Sequence, residues 1–397
     1  MTTEADTTIL LRGARALLPR GAAERASVLV RGGLIAHIAE GASEPESAAA
    51  RVIDLEGTTL LPGFVDAHIH GAVGVDVNEA DEDALHEVAR FLARRGVTAW
   101  LPTLVPDAED AYARAALAVA RLMDSQDARP PAARALGLHY EGPFVNSQQC
   151  GALRTQFFRA YGGPSDLDAL AAVPRDGARH VATVAPEIEG GVELIRELTR
   201  RGWVVSVGHT RATVAELERA REAGARHMTH FLNAMSPLHH RAPGPVGWGL
   251  VRDDVTVDLI ADGVHLDPLA LRLVLRCKTP ARVALISDSV APAGLGDGEF
   301  RVWGETISVR AGRTSNERGS IAGSVTNLLD AFRLVSALDT TVEDASRMAS
   351  LNPARLLGVD STCGTIEEGK RADLVALDGE GRARLTLVGG RVAHEDL

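Results

Sequence analysis

The sequence predicts an α/β chain built as a (β/α)₈ TIM-type barrel, with a small β-sandwich domain formed from both chain termini. Eight strand-like runs alternate with helical patterns through the middle of the chain, and both ends carry short β-type segments. Hydrophobic residues make up 45% of the 397 positions, enough to bury a large core. We therefore expect a barrel over residues 62–362 and a smaller domain made of residues 1–61 plus 363–397.

The two termini have the same β-rich texture. Short runs of this kind occur at residues 8–11, 26–30, 34–38, 372–377 and 385–388. The pairs Gly32-Gly33 and Gly389-Gly390 are hairpin signals beside them. Because a few isolated strands are marginal in water, we expect the two ends to meet in one domain.

The middle of the chain alternates between strand-like and helix-like hydrophobic patterns. Strand-like runs lie at residues 64–70, 98–103, 135–140, 180–185, 203–207, 227–231, 255–260 and 283–287. Helical patterns lie at residues 83–95, 108–123, 192–201, 212–223 and 268–276. A doubly wound sheet is the alternative, but the run Gly71-Ala72-Val73-Gly74 after the first strand lacks the glycine fingerprint of a nucleotide-binding turn.

Composition argues against several classes of function. The chain has 42 Lys and Arg against 53 Asp and Glu, a net charge of −11 without a basic run, so nucleic acid is not an expected partner. No apolar run reaches the length of a membrane span, and Glu4 and Asp6 are opposite in charge to a secretory leader. The three widely spaced cysteines do not form a disulfide framework. We expect a cytoplasmic protein.

Polar side chains that bind metals or transfer protons follow strand after strand. In chain order they are His68, His70, Thr103, Glu141, Glu187, His209, His230, Asp262, His265 and Asp288. The carboxyl ends of barrel strands share one rim, so these side chains would meet. A single histidine there is more often structural, and Asp288-Ser289 alone would read as a helix cap. The coincidence of several ligand types at one rim favours a metal site instead.

The spacing of these residues makes chemical sense. His68 and His70 lie two apart on a strand, so both point to the same side, and two imidazoles can hold Zn²⁺ or Fe²⁺. Glu141 could serve one ion or bridge two. Asp288 on the eighth strand is the candidate for taking and returning the proton of a metal-activated water. Lys278 and Lys370, the only lysines, lie outside the inner strands, so a carboxylated lysine cannot be the bridge.

Several motifs resemble the amidohydrolase superfamily and, within it, the N-acetylglucosamine-6-phosphate deacetylase family. The opening motif is PGFVDAHIHG at residues 62–71. Further matches are HYEGPF at 139–144, VAPE at 184–187, SVGHT at 206–210, THFLNAM at 229–235, ADGVH at 261–265, ISDSVAPAG at 286–294 and NPA at 352–354. The resemblance implies hydrolysis of the N-acetyl group of an amino sugar, with N-acetylglucosamine 6-phosphate as the first expectation.

The resemblance also implies roles for individual residues. Glu141, His209 and His230 would be the primary metal ligands, and Asp288 the general base and acid. His68 and His70 would hold a second ion where one is used; one or two divalent ions are expected, Zn²⁺ first. Substrate contacts would come from Ala152, Leu153, Asn233, Ala234, Arg241, Asp262, His265, Ile321, Ala322 and Gly323. Arg241 would face the phosphate and, with His265, act across a homodimer interface.

One position departs from the family pattern. The family usually has His two residues after the glycine of this loop, where this chain has Leu153 after Gly151 and Ala152. Leu153 removes a donor to the sugar, and the neighbouring Arg154 is the candidate to replace it. Two alternatives stay open: a deacetylase of another, unphosphorylated N-acetyl amino sugar in a biosynthetic pathway, and a sugar-binding protein without catalysis.

Overall fold

The computed structural model of the chain describes residues 8–41 and 50–397. Glu4 and Asp6, on which the argument against a leader rests, lie outside the described residues, as do residues 42–49 of the predicted small domain. None of the helices in the described ranges has both the length and the apolar character that a bilayer crossing requires. All three cysteines are free thiols.

Among the described residues, five strands precede the barrel. They are β1 (Ile9–Leu18), β2 (Gly21–Arg31), β3 (Leu34–Ala39), β4 (Arg51–Asp54) and β5 (Thr59–Pro62). β1 pairs with β2 in antiparallel fashion on one side, and with β4 and then β5 in parallel fashion on the other. β2 continues into β3 through the predicted turn at Gly32-Gly33, where both glycines have positive φ, so this hairpin prediction is confirmed.

The long middle section comes next, and most of its long strands are followed by a helix. Its first half contains β6 (Phe64–Ile69), β7 (Gly71–Ala72), β8 (Val75–Asp76), α1 (Glu82–Ala93), β9 (Val97–Leu104), α2 (Glu109–Ser125), β10 (Arg134–Ala135), β11 (Gly137–Glu141), β12 (Arg179–Val184) and α3 (Gly191–Arg200). Its second half contains β13 (Val204–Val207), α4 (Val214–Ala223), β14 (His227–Met228), α5 (Gly244–Val251), β15 (Thr256–Ile260), α6 (Pro268–Lys278) and β16 (Val283–Ile286).

Eight of these strands form the barrel. Strands β9, β11, β12, β13, β14, β15 and β16 are parallel neighbours in that order, and β6 joins the sheet beside β9. The sheet closes between β16 and β6, where the Asp288 N–H donates to the His68 carbonyl at 2.9 Å and the Ser287 N–H donates to the Asp66 carboxylate at 3.2 Å. The predicted barrel is confirmed, and the doubly wound alternative is wrong.

A small antiparallel sheet that the sequence patterns did not predict follows the eighth strand. It consists of β17 (Gly298–Val302), β18 (Glu305–Arg310) and β19 (Arg313–Ser315). The apolar side chains of this sheet pack beneath the loop that carries Leu153, in a cluster that includes Val302, Trp303 and Ile307. The sheet therefore stands over the carboxyl end of the barrel.

The C-terminal part returns the chain to its start. It contains α7 (Leu328–Ser336), α8 (Val342–Ala349), α9 (Leu351–Leu356), β20 (Leu374–Leu377), β21 (Ala383–Val388) and β22 (Arg391–Glu395). β20 pairs with β5 over four residues, which joins both termini in one eight-stranded sheet around a separate apolar core. The two ends therefore meet as predicted, while the residue boundaries between the two domains stay a prediction.

Local sequence signals explain where the helices begin and end. Thr213 caps α4 through the backbone N–H of Glu216, whose carboxylate reaches back to the N–H of Thr213. Gly224 ends that helix with a φ of 122°, a conformation that glycine adopts readily. Gly96 follows α1 with φ +79°, and a Cβ there would stand 2.8 Å from Val375 of β20, so the barrel and the terminal sheet touch at a position that excludes a side chain.

Candidate metal centre and active site

Six ionisable side chains converge at the carboxyl end of the barrel. All six are at least nine-tenths buried, and they are His68, His70, Glu141, His209, His230 and Asp288. Each comes from the end of a strand or the residue or two after it, where parallel strands bring their last side chains together. His209, His230 and Asp288 have φ values of 47°, 30° and 48°, a left-handed conformation that costs free energy in non-glycine residues and clusters at functional sites.

Glu141 lies at the centre of the group. Its Oε1 is 2.9 Å from Nε2 of His209 and 2.8 Å from Nε2 of His230. Its Oε2 is 3.2 Å from Nε2 of His70, and His68 lies 3.8 Å from Oε1. The carboxylate thus belongs to two sets of three possible metal ligands, one with each histidine pair. The structure brings the five predicted ligands together around this one side chain.

The imidazole nitrogens are spaced as ligands of a shared ion. The Nε2 atoms of His209 and His230 are 3.1 Å apart, and so are those of His68 and His70. At a Zn–N distance of about 2.0–2.1 Å, two nitrogens in tetrahedral positions on one ion stand roughly 3.3 Å apart. Nitrogen and carboxylate donors with these spacings fit a borderline-soft divalent cation such as Zn²⁺ or Fe²⁺.

Backbone carbonyls fix the orientation of two of the rings. Nδ1 of His209 donates to the Gln149 carbonyl at 2.7 Å, and Nδ1 of His70 lies 3.2 Å from the Thr103 carbonyl. A proton held at Nδ1 leaves the Nε2 lone pair free for a metal. Thr103, predicted at the rim as a polar strand end, serves here through its backbone, while its hydroxyl accepts from the Ile69 N–H at 2.9 Å.

The two carboxylates of the group, Glu141 and Asp288, favour positive charge on the histidines around them. Burial lowers the pKa of His70, but hydrogen bonds with Asp288 and Glu141 outweigh burial and raise that pKa to about 10. Burial likewise opposes charge on His230, yet Glu141 raises the pKa of that ring to about 9. Burial would raise the pKa of Glu141, but His209 and its other histidine neighbours hold it well below its ordinary value. A bound divalent cation supplies the same compensation without these protons.

His139 is a buried histidine beside this centre that was not predicted as a site residue. Its ring packs edge-on against His68 with 4.5 Å between centroids, and its Nε2 lies 2.8 Å from the Thr183 hydroxyl. Burial lowers the pKa of His139 to about 3, so the ring is neutral. Burial and the His139 ring also hold the pKa of His68 well below its ordinary value, which keeps His68 in the form that binds a metal.

Asp288 faces the first histidine pair. Its Oδ1 is 3.3 Å from Nε2 of His68 and 3.1 Å from Nε2 of His70. The side chain also lines the cavity in front of the centre, so it can reach both the ion site and a molecule in the cavity. A carboxylate in this position can exchange protons with both, and proton transfer by Asp288 stays a prediction.

A cavity of about 320 Å³ opens onto the centre. Seven residues predicted to contact substrate line it, and they are Ala152, Leu153, Asn233, Ala234, His265, Ile321 and Gly323. Trp303 from the unpredicted hairpin also lines it. No sequence motif marked Trp303, since it lies in a segment without a strand-end or family signal.

Three predicted contacts lie off the cavity wall. Asp262 sits behind His265 and binds its Nδ1 at 2.7 Å, so it acts on the cavity only through that ring. Ala322 is fully buried and donates its N–H to the Thr314 hydroxyl. Arg241 lies on an exposed loop, with Nη1 2.7 Å from Nε2 of His240, and does not line the cavity of its own chain.

The suggested replacement for the missing sugar donor is wrong. The guanidinium of Arg154 forms an ion pair with Asp107 at 2.6 Å and lies over the Phe157 ring, 5.0 Å from its centroid. Both partners of the pair are mostly buried, and Arg154 is not part of the cavity lining. Arg154 therefore does not supply the donor that Leu153 lacks.

Glu187, another carboxylate predicted at the rim, has a structural role. Its Oε1 accepts from the Asn146 amide at 2.8 Å and from the Arg211 N–H at 2.6 Å, and its Oε2 accepts from the Thr210 hydroxyl at 2.6 Å. These bonds tie the loop after β11 to the loop that carries His209. Glu187 thus fixes the position of a predicted ligand without joining the centre.

The two lysines are remote from the centre, as their sequence positions predicted. Nζ of Lys278 donates to the carbonyls of Arg252 and Val255, at 2.5 Å each. Nζ of Lys370 donates to the Asp360 carbonyl and the Thr365 hydroxyl. A carboxylated lysine is therefore excluded as a bridging ligand, and Glu141 is the carboxylate that lies between the two histidine pairs.

Comparison with known proteins places this geometry in a family. The amidohydrolase family matches residues 59–393. An N-acetylgalactosamine-6-phosphate deacetylase of Escherichia coli O157:H7 is 37% identical over 94% of this chain and 95% of its own length. An N-acetylglucosamine-6-phosphate deacetylase of Bacillus subtilis is 34% identical over 85% of each chain.

Solved structures agree with the sequence relatives. An N-acetylglucosamine-6-phosphate deacetylase from Pasteurella multocida superposes with a TM-score of 0.89 at 28% identity, over 97% of this chain and 99% of its own. The corresponding enzyme from Mycobacterium smegmatis gives a TM-score of 0.88 at 30% identity, over 97% and 99%. On the family match, the sequence relatives and these structures together, the chain belongs to the N-acetylglucosamine-6-phosphate deacetylase family of the amidohydrolases.

Proposed function

We propose that this protein hydrolyses the N-acetyl group of an amino sugar, with N-acetylglucosamine 6-phosphate as the first substrate and acetate as a product. The observation that carries the proposal is the position of Glu141, whose two oxygens lie between two histidine pairs while Asp288 faces the same cavity. A divalent cation, an adjacent acid–base carboxylate and a cavity beside them are the parts that metal-assisted amide hydrolysis requires.

The ligand sets support one or two ions. Glu141, His209 and His230 would hold the first, and His68 and His70, with the other oxygen of Glu141, would hold the second. Zn²⁺ suits these nitrogen and oxygen donors, and Fe²⁺ is the alternative. A bound cation lowers the pKa of water toward about 7 and polarises the acetamide carbonyl.

The chain's own residues supply proton transfer and orientation. Asp288 accepts a proton from the water that attacks the acetamide carbon, and then returns a proton to the departing amine nitrogen. His265, held by Asp262, and Asn233 line the far side of the cavity and would position the sugar. The water oxygen ends in acetate, and the C–N electron pair stays with the amine.

Arg241 supports a dimeric active site. Since its guanidinium lies on an exposed loop, off the cavity wall of its own chain, we infer that it serves the phosphate site of a second copy. The net charge of −11 gives an anionic sugar no general attraction, so a local cation must hold the phosphate.

We propose a homodimer that works in the cytoplasm. The Arg241→Ala variant should raise KM for the phosphorylated sugar more than for the free sugar.

A second candidate substrate differs at the sugar. The relative that acts on N-acetylgalactosamine 6-phosphate is 37% identical, and Leu153 removes the donor that the family usually places beside the sugar. N-acetylgalactosamine 6-phosphate, or an unphosphorylated N-acetyl amino sugar, is therefore the alternative. A site with one donor fewer discriminates less between sugars that differ in a single hydroxyl.

One assay separates these possibilities. Zinc-loaded protein is given four sugars, N-acetylglucosamine and N-acetylgalactosamine, each with and without the 6-phosphate, and acetate release is measured. The proposal expects the highest kcat/KM for N-acetylglucosamine 6-phosphate. A preference for the galacto sugar, or for a free sugar, would assign the alternative substrate. Binding without hydrolysis of all four would identify a sugar-binding protein and overturn the enzymatic proposal.

A further inference from the structure

Trp303 covers the metal centre from the hairpin between β17 and β18. Its ring lies edge-on to the ring of His70, with 5.4 Å between centroids, and its side chain lines the same cavity as Asp288 and Glu141. Only 8% of the residue is exposed. The indole thus stands against a predicted metal ligand, at the reacting end of the cavity.

The local backbone does not favour tryptophan at this position. Val302 pairs with Glu305, so the turn has two residues, Trp303 and Gly304, with φ values of 53° and 79°. A two-residue turn with both φ values positive strongly favours Asn-Gly and disfavours a bulky side chain. The next turn of the same sheet has the same shape but carries an exposed Ala311 before Gly312. An aromatic ring is therefore not needed to form such a turn in this chain.

Polar bonding does not account for the tryptophan either. Its Nε1 is buried and has no hydrogen-bond partner among the described residues. The ring instead belongs to an apolar cluster that contains Leu153, Val290 and Ala322. Leu153 and Trp303 are also both part of the cavity lining. Together they present an apolar surface to the cavity.

We propose that Trp303, backed by Leu153, forms the wall that limits the length of the acyl group the enzyme removes. This inference rests on the proposed function. The hydrolysed carbon must lie within reach of Asp288, and Asp288 is 3.1 Å from the His70 nitrogen whose ring Trp303 contacts. The wall therefore meets the acyl substituent, while His265 and Asn233 face the sugar.

The chemistry at the amide is the same for any acyl length. The water oxygen bonds to the acyl carbon, the C–N bond breaks with its electron pair on nitrogen, and the amine takes a proton while the carboxylate leaves. Only the room beyond the acyl carbon changes. Because a hydrophobic pocket discriminates by roughly 10–200-fold per methylene, the wall would select acetyl over propionyl and butyryl groups.

The Trp303→Asn variant tests the wall while preserving the turn. Asn-Gly is the most favoured sequence for this turn, so the variant should keep the geometry of the turn, while loss of the buried indole lowers the stability of the fold. The kcat/KM values are measured for the N-acetyl, N-propionyl and N-butyryl forms of the amino sugar that the wild type hydrolyses best. We expect the butyryl-to-acetyl ratio of kcat/KM to rise at least tenfold over that of the wild type, with metal content unchanged.

Phe300→Ala is the matched control, because Phe300 packs on the same cluster from the same hairpin but does not line the cavity. Its ratio should stay at the wild-type value. Trp303→Gly is the second variant and should reproduce the change seen with Asn. If folded Trp303 variants keep the wild-type butyryl-to-acetyl ratio of kcat/KM, the proposal that Trp303 limits acyl length is wrong. Loss of activity on all three substrates with the metal retained would also overturn it. If the wild type hydrolyses no N-acyl sugar, the proposed function fails along with the wall.

Discussion

Oε1 of Glu141 lies 2.8 Å from Nε2 of His230, at the point where the two ligand sets meet. Glu141→Gln keeps the shape of the side chain but removes the charge and replaces one ligand oxygen by an amide nitrogen. Loss of a residue that only hydrogen-bonds to a metal ligand typically lowers metal affinity about 10–100-fold. Because Glu141 is a predicted ligand itself, we expect a loss of affinity at least that large. Equilibrium dialysis followed by elemental analysis measures the bound metal.

Glu187→Gln is the control for this experiment, since Glu187 is a carboxylate at the same rim but outside both ligand sets. That variant should bind as much metal as the wild type. Full metal occupancy in the Glu141 variant would show that the carboxylate does not bridge the two sites.

Asp288→Asn removes the proposed proton carrier while leaving the five ligands in place. Because an amide cannot accept the proton of water, we expect kcat to fall by about 10²–10⁴-fold. The bound metal should remain at the wild-type level, which elemental analysis checks on the same sample. An Asn variant that deacetylates at the wild-type rate would remove Asp288 from the mechanism.

Metal binding should depend on pH through His70 and His230. In the metal-free protein, the pKa of His70 is raised to about 10 and that of His230 to about 9, both above the ordinary value near 6.5. The protonated rings of these two histidines stabilise the folded state fully below pH ~6.5. This stabilisation is lost as the pH rises through the two raised pKa values. Ions bind only the deprotonated nitrogens, so zinc affinity should increase over the same window.

Thermal unfolding at a series of pH values measures this effect. As the pH is raised from ~6.5 to ~10, the midpoint temperature of unfolding should decrease for the metal-free protein. The decrease should be smaller for the zinc-loaded protein. His139 is a useful reference, since its pKa is lowered to about 3 and its contribution changes only in acid. Parallel curves for the two forms would contradict the proposed link between protons and metal.

Removal of the Glu187 carboxylate should lower the stability of the loops at the carboxyl end of the barrel. Glu187→Ala leaves the Asn146 amide, the Thr210 hydroxyl and the Arg211 N–H without their acceptor. We expect the free energy of unfolding to fall by about 1–3 kcal/mol, because hydrogen bonds to a charged group are lost. Denaturant titration of the metal-free protein measures the change, and Glu187→Gln should restore most of it. An Ala variant as stable as the wild type would show that the two loops hold each other without this carboxylate.

Periodicity predicted the barrel well because most of its strands, and the helices α1 to α4 and α6, have a clear local pattern. Residues 64–70 and 98–103, for example, were expected as strands and are found as β6 and β9 within a residue or two. The ligands followed from the same reasoning, since parallel strands must end at one rim. The order of His209 and His230 along the chain is enough to predict their position at this rim.

What escaped prediction depends on contacts between distant segments or on turn geometry. Arg154 was expected near the sugar, but its ion pair with Asp107 joins two loops that no local pattern relates. Trp303 was missed because its role arises from a hairpin folding over the barrel, in a turn where tryptophan is an unfavourable residue. Glu187 was placed correctly at the rim, yet its function as a tie between loops required the positions of its three donors.

The pairing of β5 with β20 has a consequence for how the chain matures. Residues 59–62, which lead directly into the first barrel strand, find their antiparallel partner only at residues 374–377. During synthesis, this edge of the N-terminal sheet must wait until residues 374–377 have left the ribosome. A contact between segments so far apart in sequence slows folding and leaves an exposed strand edge that can recruit the wrong neighbour. β20 thus covers the edge of β5, and a nascent chain that stops before residue 374 leaves this strand edge open to aggregation.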